Sequence, residues 1–494
     1  MKQILLGIDI GTSACKVAAF DPGGCVLAQS TQPYAVYYPH PGWAEQDADE
    51  WWAAVCSALR KVLSAPGVEA KDVCCIGIDG QSWSCIPVDG KGKVLARTPI
   101  WMDTRAREIC ESTKKRLGED TVFVVAGNDF LPSYTAPKMM WFHQAHPEVY
   151  AKTRFFLQSN SFIAFRLTGA ATQDVSQLYG LQFYNLHTMQ YDVVLASELG
   201  LSTLQIPPIH RCDEIIGGVT EEAARQTGLA VGTPVVAGGL DAACGTLGAG
   251  VFLPGQAQEQ GGQAGGISIC VNAALAHKSL ILSPHVVPGM FLLQGGTVGG
   301  GGALKWFRQE LGCGMSFDEL TAEAETVPPG AEGVVFLPYM AGERSPIWDP
   351  DAKGVFYGLG YDKKRAHMIR AVLEGVAFAL EHNLRVAAEA GASVDVLNAM
   401  GGAANSVLWT QIKADVTGKT FRVPSSDTAT TLGAAILAGI GCGIYQSYDE
   451  AVKKTVAITR TQSPDAQNHA LYQKQMQLYL ELYQDLKNTF SAFA

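Results

Sequence analysis

The chain has 494 residues, 47% of them apolar and 17% charged, with a formal net charge of −10. That length exceeds one ordinary core, so two domains are expected, and the acidic balance speaks against nucleic acid or an anionic membrane as the main partner. The twelve cysteines are scattered without a C-x-x-C pair, which fits reduced thiols in a cytoplasmic protein and neither a disulfide framework nor a zinc site.

In chain order, residues 4–10 read as an apolar strand. Residues 16–20 and 26–28 continue it as a meander around the turn Asp21-Pro22-Gly23-Gly24. Residues 50–63 carry helical apolar spacing, with Asp49 as the expected N-cap. Residues 74–78 form a further strand ending at Asp79-Gly80-Gln81, and strand–helix alternation continues to Asp241. A second round follows. Residues 255–271 read as a glycine-rich hairpin, 290–295 as a strand and 302–311 as a helix. A long amphipathic helix over 368–390 precedes a strand over 394–400, and helices are expected over 431–438 and 470–490. Both halves thus share an order of hairpin, helix, strand and glycine turn. The apolar stretch 432–444 is too short to span a bilayer.

Two turns stand out. Ile8-Asp9-Ile10-Gly11-Thr12-Ser13 and Val235-Val236-Ala237-Gly238-Gly239-Leu240-Asp241 each deliver an aspartate from an apolar run into a glycine-containing turn. Gly11, Thr12 and Ser13 offer backbone and hydroxyl donors, with Lys16 nearby. Asp9 would meet phosphate only through magnesium or its waters, because like charges repel. Asp241, placed where Ala242 starts a helix, is expected to be held ionised by the helix N-terminus, as a base over a hydroxyl. An ordinary Asx turn and an N-cap aspartate would have the same short sequences. His143 and His146 could share a helix face, but no third metal ligand accompanies them.

Further segments make the pattern specific. They are Gly42-Trp43-Ala44-Glu45-Gln46-Asp47, Ser133-x-Thr135-x-x-Lys138-Met139-x-Trp141, Gly342-Glu343-Arg344-Ser345-Pro346 leading to Asp349-Pro350, residues 354–374, and Gly401-Gly402-Ala403-Ala404-Asn405-Ser406. In this order, from residue 4 to about residue 441, the chain resembles the FGGY family of carbohydrate kinases. The resemblance implies an α/β protein of two actin-like (ribonuclease H-like) domains, residues 1–246 and 247–494, with the final helix packing back on the first. ATP and Mg2+ would lie in the cleft between them, and a small-molecule sugar deep on the N-terminal side. By resemblance Asp241 is the catalytic base and also faces the sugar, and Asp9 is the metal-associated acid. Gly11, Thr12, Ser13 and Lys16 form the first phosphate site and Gly262, Gln263 and Gly265 the second. Gly296 and Thr297 lie near the phosphates, and Gly401, Gly402 and Asn405 form the adenosine turn. Trp43, Glu45, Gln81, Ser82, Trp83 and Asp103 fall where the family lines its sugar pocket. The implied reaction is phosphorylation of a ketopentose such as D-xylulose to its 5-phosphate, or of another pentulose or polyol, in a protein that could form a homodimer.

Two departures qualify this. A Met-His pair usual after Gly-Gln is replaced by Ser82-Trp83, which exchanges a polar contact for an aromatic one with a single N–H donor. The second phosphate turn reads Gly262-Gln263-Ala264-Gly265 in place of Gly-Thr-Ser-Gly, losing two hydroxyls while keeping the backbone donors. The second departure leaves open a kinase-fold sensor with weakened catalysis.

Overall fold

The structure, a computed structural model, describes residues 2–425 and 428–492. Two seven-stranded mixed sheets of one plan carry the fold, beside several two-stranded ones. In the first, β1 (Ile4–Ile10), β2 (Ala14–Phe20) and β3 (Val26–Pro33) form an antiparallel meander. β4 (Val73–Gly80) lies parallel to β1. β5 (Ile215–Gly218) and β6 (Pro234–Val236) pair antiparallel, and β6 and the short β7 (Gly239–Leu240) both run parallel to β4. In the second sheet the meander is β8 (Gly255–Gly261), β9 (Gly265–Val271), β10 (Ile281–Pro284) and β11 (Phe291–Thr297). Parallel β12 (Val394–Met400) and β13 (Thr420–Pro424) and a returning antiparallel β14 (Ile458–Gln462) complete it. The repeat read from the order of elements is therefore present as topology.

The central parallel strands are apolar on both faces because helices cover both. α1 (Ala48–Leu63) packs on one side of the first sheet through Trp51, Val55, Ala58, Leu59 and Val62. Its N-cap is Asp47, whose carboxylate accepts from the amide of Asp49, so the expected cap lies two residues too late. α2 (Asp241–Gly248) leaves β7. In the second half come α3 (Gly301–Glu310), α4 (Arg365–Glu389) and α5 (Val407–Thr417), then α6 (Ala429–Gly441) and α7 (Ala466–Ala492).

The helix that crosses between the halves is α6, and this corrects the expectation for the final helix. α6 is built almost wholly from small and apolar residues and packs against β1, β4 and α2 of the first half. Gly7 and Gly77 make the contact possible: a Cβ at either would stand 2.0 or 1.9 Å from the carbonyl oxygens of Thr431 and Ala434. α7 stays with the second half, against α4 and α5. Its buried face carries tyrosines whose hydroxyls find partners there, Tyr472 with Glu374, Tyr479 with Tyr339 and Tyr483 with Asp349. Among the described residues no helix is long and apolar enough to cross a membrane.

Candidate active site

Strand register gathers three acids. β1 pairs Asp9 with Asp79 of β4 on one side and with Lys16 of β2 on the other. β7 pairs Gly239 with the same Asp79, so that Asp241 follows at the head of α2. The turn into β7 requires glycine. Gly238 has φ +71°, and a Cβ there would lie 1.8 Å from the carbonyl oxygen of Ile78.

Asp79 is fully buried, and its two carboxylate oxygens accept from no donor among the described residues. Burial, and then the charges of Asp9 and Asp241, push its pKa well above the usual range. Burial raises Asp9 too, opposed by its contact with Asp79 and by the charge of Lys16. Asp241 accepts from the amide of Ala242 at 2.6 Å. Burial first, and the charge of Asp9 second, lift its carboxyl to about 7. The expected stabilisation of the ionised form is thus outweighed. A helix terminus contributes about 0.3–1 kcal/mol, whereas a rise from 3.8 to about 7 corresponds to about 4 kcal/mol.

Two cavities flank the turn between β8 and β9, and Ala242, next to Asp241, lines one of them. One, of about 650 Å³, is lined by Gly261–Gln263, Gly301, Leu304, Lys305, Arg308, Phe317, Gly402, Asn405 and Trp409. The other, of about 510 Å³, has Ser82, Trp83, Trp101, Tyr179 and Ala242 on the side of the first sheet, facing residues 262–268, Gly296, Arg344 and Trp348. They meet at Gly262 and Gln263, which line both. The carbonyls of these two residues accept from the amides of Gly301 and Gly302 at 2.8 Å, fixing the turn to the start of α3. The amides of residues 262–264 make no hydrogen bond to the turn or its neighbours.

The expected residues fall into three groups. Gly262, Gln263, Gly265, Gly296, Gly402, Asn405, Ser82 and Trp83 line one or both cavities. Gly11, Thr12 and Ser13 form the β1–β2 turn, where the Thr12 hydroxyl accepts from Trp101 Nε1 at 2.9 Å. Thr297, Gly401, Gln81, Asp103, Glu45 and Trp43 line neither of these two cavities. Thr297 is buried opposite Gly265, and Gly401 makes the φ +83° turn after β12. Gln81 is buried and braces the sheet, with Nε2 on Gln46 and its carbonyl accepting from Ser159. Asp103 accepts from the amide of Ala44 and from Arg105. Arg105 also pairs with Glu45 and stacks over Trp43 and Trp141. Buried charge demands such pairing, so Asp103, Glu45 and Trp43 stiffen the cavity's support.

Sequence reasoning missed Asp79, Trp101, Tyr179, Arg344 and Lys138 as contributors. Lys138 is fully buried and donates to the carbonyls of Trp83 (2.9 Å) and Ile100 (2.7 Å), and burial lowers its pKa to about 7. It thereby fixes Trp83, which holds φ +57° and packs tilted against Tyr134 and edge-on against Tyr179, at 4.2 and 5.7 Å between centroids. The signal for Asp79 was an apolar strand ending in Asp79-Gly80.

Residues 4–248 match the N-terminal domain of the FGGY family of carbohydrate kinases, and residues 268–442 match its C-terminal domain. A xylulose kinase of Escherichia coli K12 is 32% identical over 485 residues, covering 97% of this chain and 99% of the relative. The L-xylulose/3-keto-L-gulonate kinase of the same organism is 29% identical over 98% of this chain and 97% of its own. The crystal structure of a xylulose kinase from Rhodospirillum rubrum superposes with a TM-score of 0.92 at 28% identity, covering 99% of this chain and 100% of that one.

Proposed function

The chain belongs to the FGGY family of carbohydrate kinases, and on that premise we propose that it transfers the γ-phosphoryl group of ATP to a hydroxyl of a ketopentose such as D-xylulose, giving the 5-phosphate. The observation that carries this reading is the pair of cavities meeting at the Gly262-Gln263 turn, with the Asp241 helix facing the second. The first cavity suits a nucleoside. Its floor has backbone and amide groups at Gly402 and Asn405, and Phe317 lies under the Arg308 guanidinium at 4.2 Å. The free amides of residues 262–264 suit phosphate oxygens. The second cavity, walled by Trp83, Trp101 and Tyr179, suits a small polyhydroxylated ring or chain.

Asp241 accepts the proton of the attacking hydroxyl. A carboxyl raised to about 7 is a stronger base than an ordinary aspartate and is still largely ionised above neutrality. Mg2+ fits the acids beside it. Asp9 and Asp79 supply hard oxygen donors, and both oxygens of Asp79 lack a hydrogen-bond donor among the described residues. Such a cation takes one or two carboxylates and completes its shell with water and phosphate. When bound, it would neutralise phosphate charge. Asp9 and Asp79 would hold it, while the Gly11–Ser13 and 262–264 turns orient the phosphates. Most of the rate then comes from positioning and charge stabilisation, as a loose phosphoryl transition state requires.

Trp83 sets the substrate question. Its indole N–H is buried without a well-formed hydrogen bond, its ring packs against Tyr134 and Tyr179, and Lys138 holds its backbone carbonyl. This wall offers an aromatic surface, so the protein should accept another pentulose, a deoxy sugar or a polyol at least as well as D-xylulose. A coupled ADP assay over ketoses, aldoses, sugar acids and polyols tests this. Strict preference for D-xylulose would refute the role given to Trp83.

A further inference from the structure

The Gly342–Ser345 turn is braced on every side, and one side chain is left over. The buried Glu343 carboxylate accepts from the amides of Val298 (2.6 Å) and Arg344 (2.8 Å), tying the turn to the loop after β11. Glu343 and Asp349 exchange both backbone hydrogen bonds, at 2.8 and 3.0 Å. Ser345 Oγ and Trp348 Nε1 both donate to the carbonyl of Ser279, at 2.9 and 3.0 Å. Asn383 of α4 donates to the Ser345 carbonyl at 3.2 Å, and Tyr483 of α7 to Asp349 at 2.9 Å. Amid these fixed residues Arg344 is exposed. Its guanidinium makes no hydrogen bond and no ion pair with the described residues. It lies against the backbone of Gly296, where a Cβ would stand 3.0 Å from its terminal nitrogen. It lines the second cavity beside the 262–266 turn, with Ser82, Trp83 and Ala242 across the space.

A loop held by several hydrogen bonds that uses its one cation in none of them is a prepared electrostatic contact. We infer that Arg344 is a catalytic residue that contacts the phosphoryl group during its transfer, an inference that rests on the kinase reading above. Its side of the cavity is that of the glycine turns, not that of the aromatic sugar wall. A planar guanidinium matches the non-bridging oxygens of a phosphoryl group in two parallel hydrogen bonds and keeps its proton throughout. In the step itself, the bond from γ-phosphorus to the ADP oxygen breaks and a bond to the sugar oxygen forms. The hydroxyl proton passes to Asp241, and ADP leaves with the electron pair of the broken bond. Arg344 donates N–H bonds as charge spreads over the moving group.

The test uses the full chain as wild type, Arg344→Ala and Arg344→Lys, with ATP and a panel of D-xylulose, L-xylulose, D-gluconate and glycerol. On the sugar that wild type turns over fastest, Arg344→Ala should lose about 10²-fold or more in kcat. The KM values for ATP and sugar should stay within about threefold. Arg344→Lys should recover only part of the loss, since a point charge cannot make both hydrogen bonds. Millimolar guanidinium chloride should raise the turnover of Arg344→Ala several-fold. ADP with aluminium fluoride should bind the alanine variant about tenfold or more weakly than wild type, while ADP alone binds both equally. An unchanged kcat would overturn the inference. So would a loss confined to KM for D-gluconate, which marks carboxylate recognition, or an equal loss in ADP binding, which marks a collapsed loop. Wild type without sugar-dependent turnover would instead refute the kinase reading, and the aluminium fluoride comparison would still report on Arg344.

Discussion

Replacing Asp241 with Asn should have two linked effects. Asn keeps the shape and the acceptor for the Ala242 amide, but it cannot take a proton. Turnover should fall about 10²-fold or more, with the KM for ATP little changed. The same substitution should stabilise the protein at alkaline pH. Burial and the charge of Asp9 hold the folded carboxyl at about 7 against an ordinary 3.8. The folded state therefore binds this proton more tightly than the unfolded chain does. The destabilisation is absent below the unfolded pKa, grows as pH rises between the two values, and is complete above the folded one. Its full size is at most about 4 kcal/mol, reduced where water in the open cleft screens the charge. Thermal unfolding of wild type and variant at pH 5 and pH 8 should show the variant ahead by several degrees at pH 8, with the gap shrinking by more than half at pH 5. Turnover within a few-fold of wild type would remove Asp241 from the role of base. Equal melting temperatures at both pH values would refute the account of why its pKa is raised.

Other outcomes follow from the same geometry. Asp9→Asn should weaken turnover and shift the magnesium titration to higher concentration, with raised magnesium restoring part of the rate. A rate and titration that do not move would leave Asp9 structural. The wild-type kcat/KM for sugar should fall below an apparent pKa near the 7 of Asp241, because only the ionised carboxylate accepts a proton. A profile flat from pH 5 to 8 contradicts this. Trp83→His should shift the ratio of kcat/KM values toward D-xylulose by roughly 1–3 kcal/mol in free-energy terms, and a change confined to the KM for ATP would show that Trp83 does not face the sugar. Lys138→Met removes both hydrogen bonds that hold the Trp83 and Ile100 carbonyls. It should raise the KM for sugar more than that for ATP, and equal effects on both would count against a local role.

Much of this was legible in the sequence because the informative features are local. Strands such as Ile4–Ile10 and Val394–Met400 are short apolar runs closed by glycine turns, and their ends were read without error. The acids at Asp9 and Asp241 stood out for the same reason. What was not legible depends on register and on long-range packing. Asp79 becomes part of the site only because β4 pairs with both β1 and β7. The ionisation of Asp241 was misjudged because a helix start is visible in sequence, while the burial and the facing charge of Asp9 are not. The partners of Gln81 and Asp103, Gln46 and Arg105, are likewise set by the fold and not by the sequence around them. The crossing of α6 could have been suspected from its small-residue composition, whereas the choice between α6 and α7 rests on where tyrosine hydroxyls find partners.

The central claim is phosphoryl transfer from ATP to a small sugar at Asp241, and sugar-dependent ADP release from the purified protein tests it most directly. With ATP and magnesium present, ADP should appear rapidly with at least one ketopentose or related polyol of the panel, with an equal amount of sugar phosphate, and only slowly in buffer alone, since the closed cleft excludes water as acceptor. ADP release equally fast with and without every sugar, or no release with any of them, would contradict it.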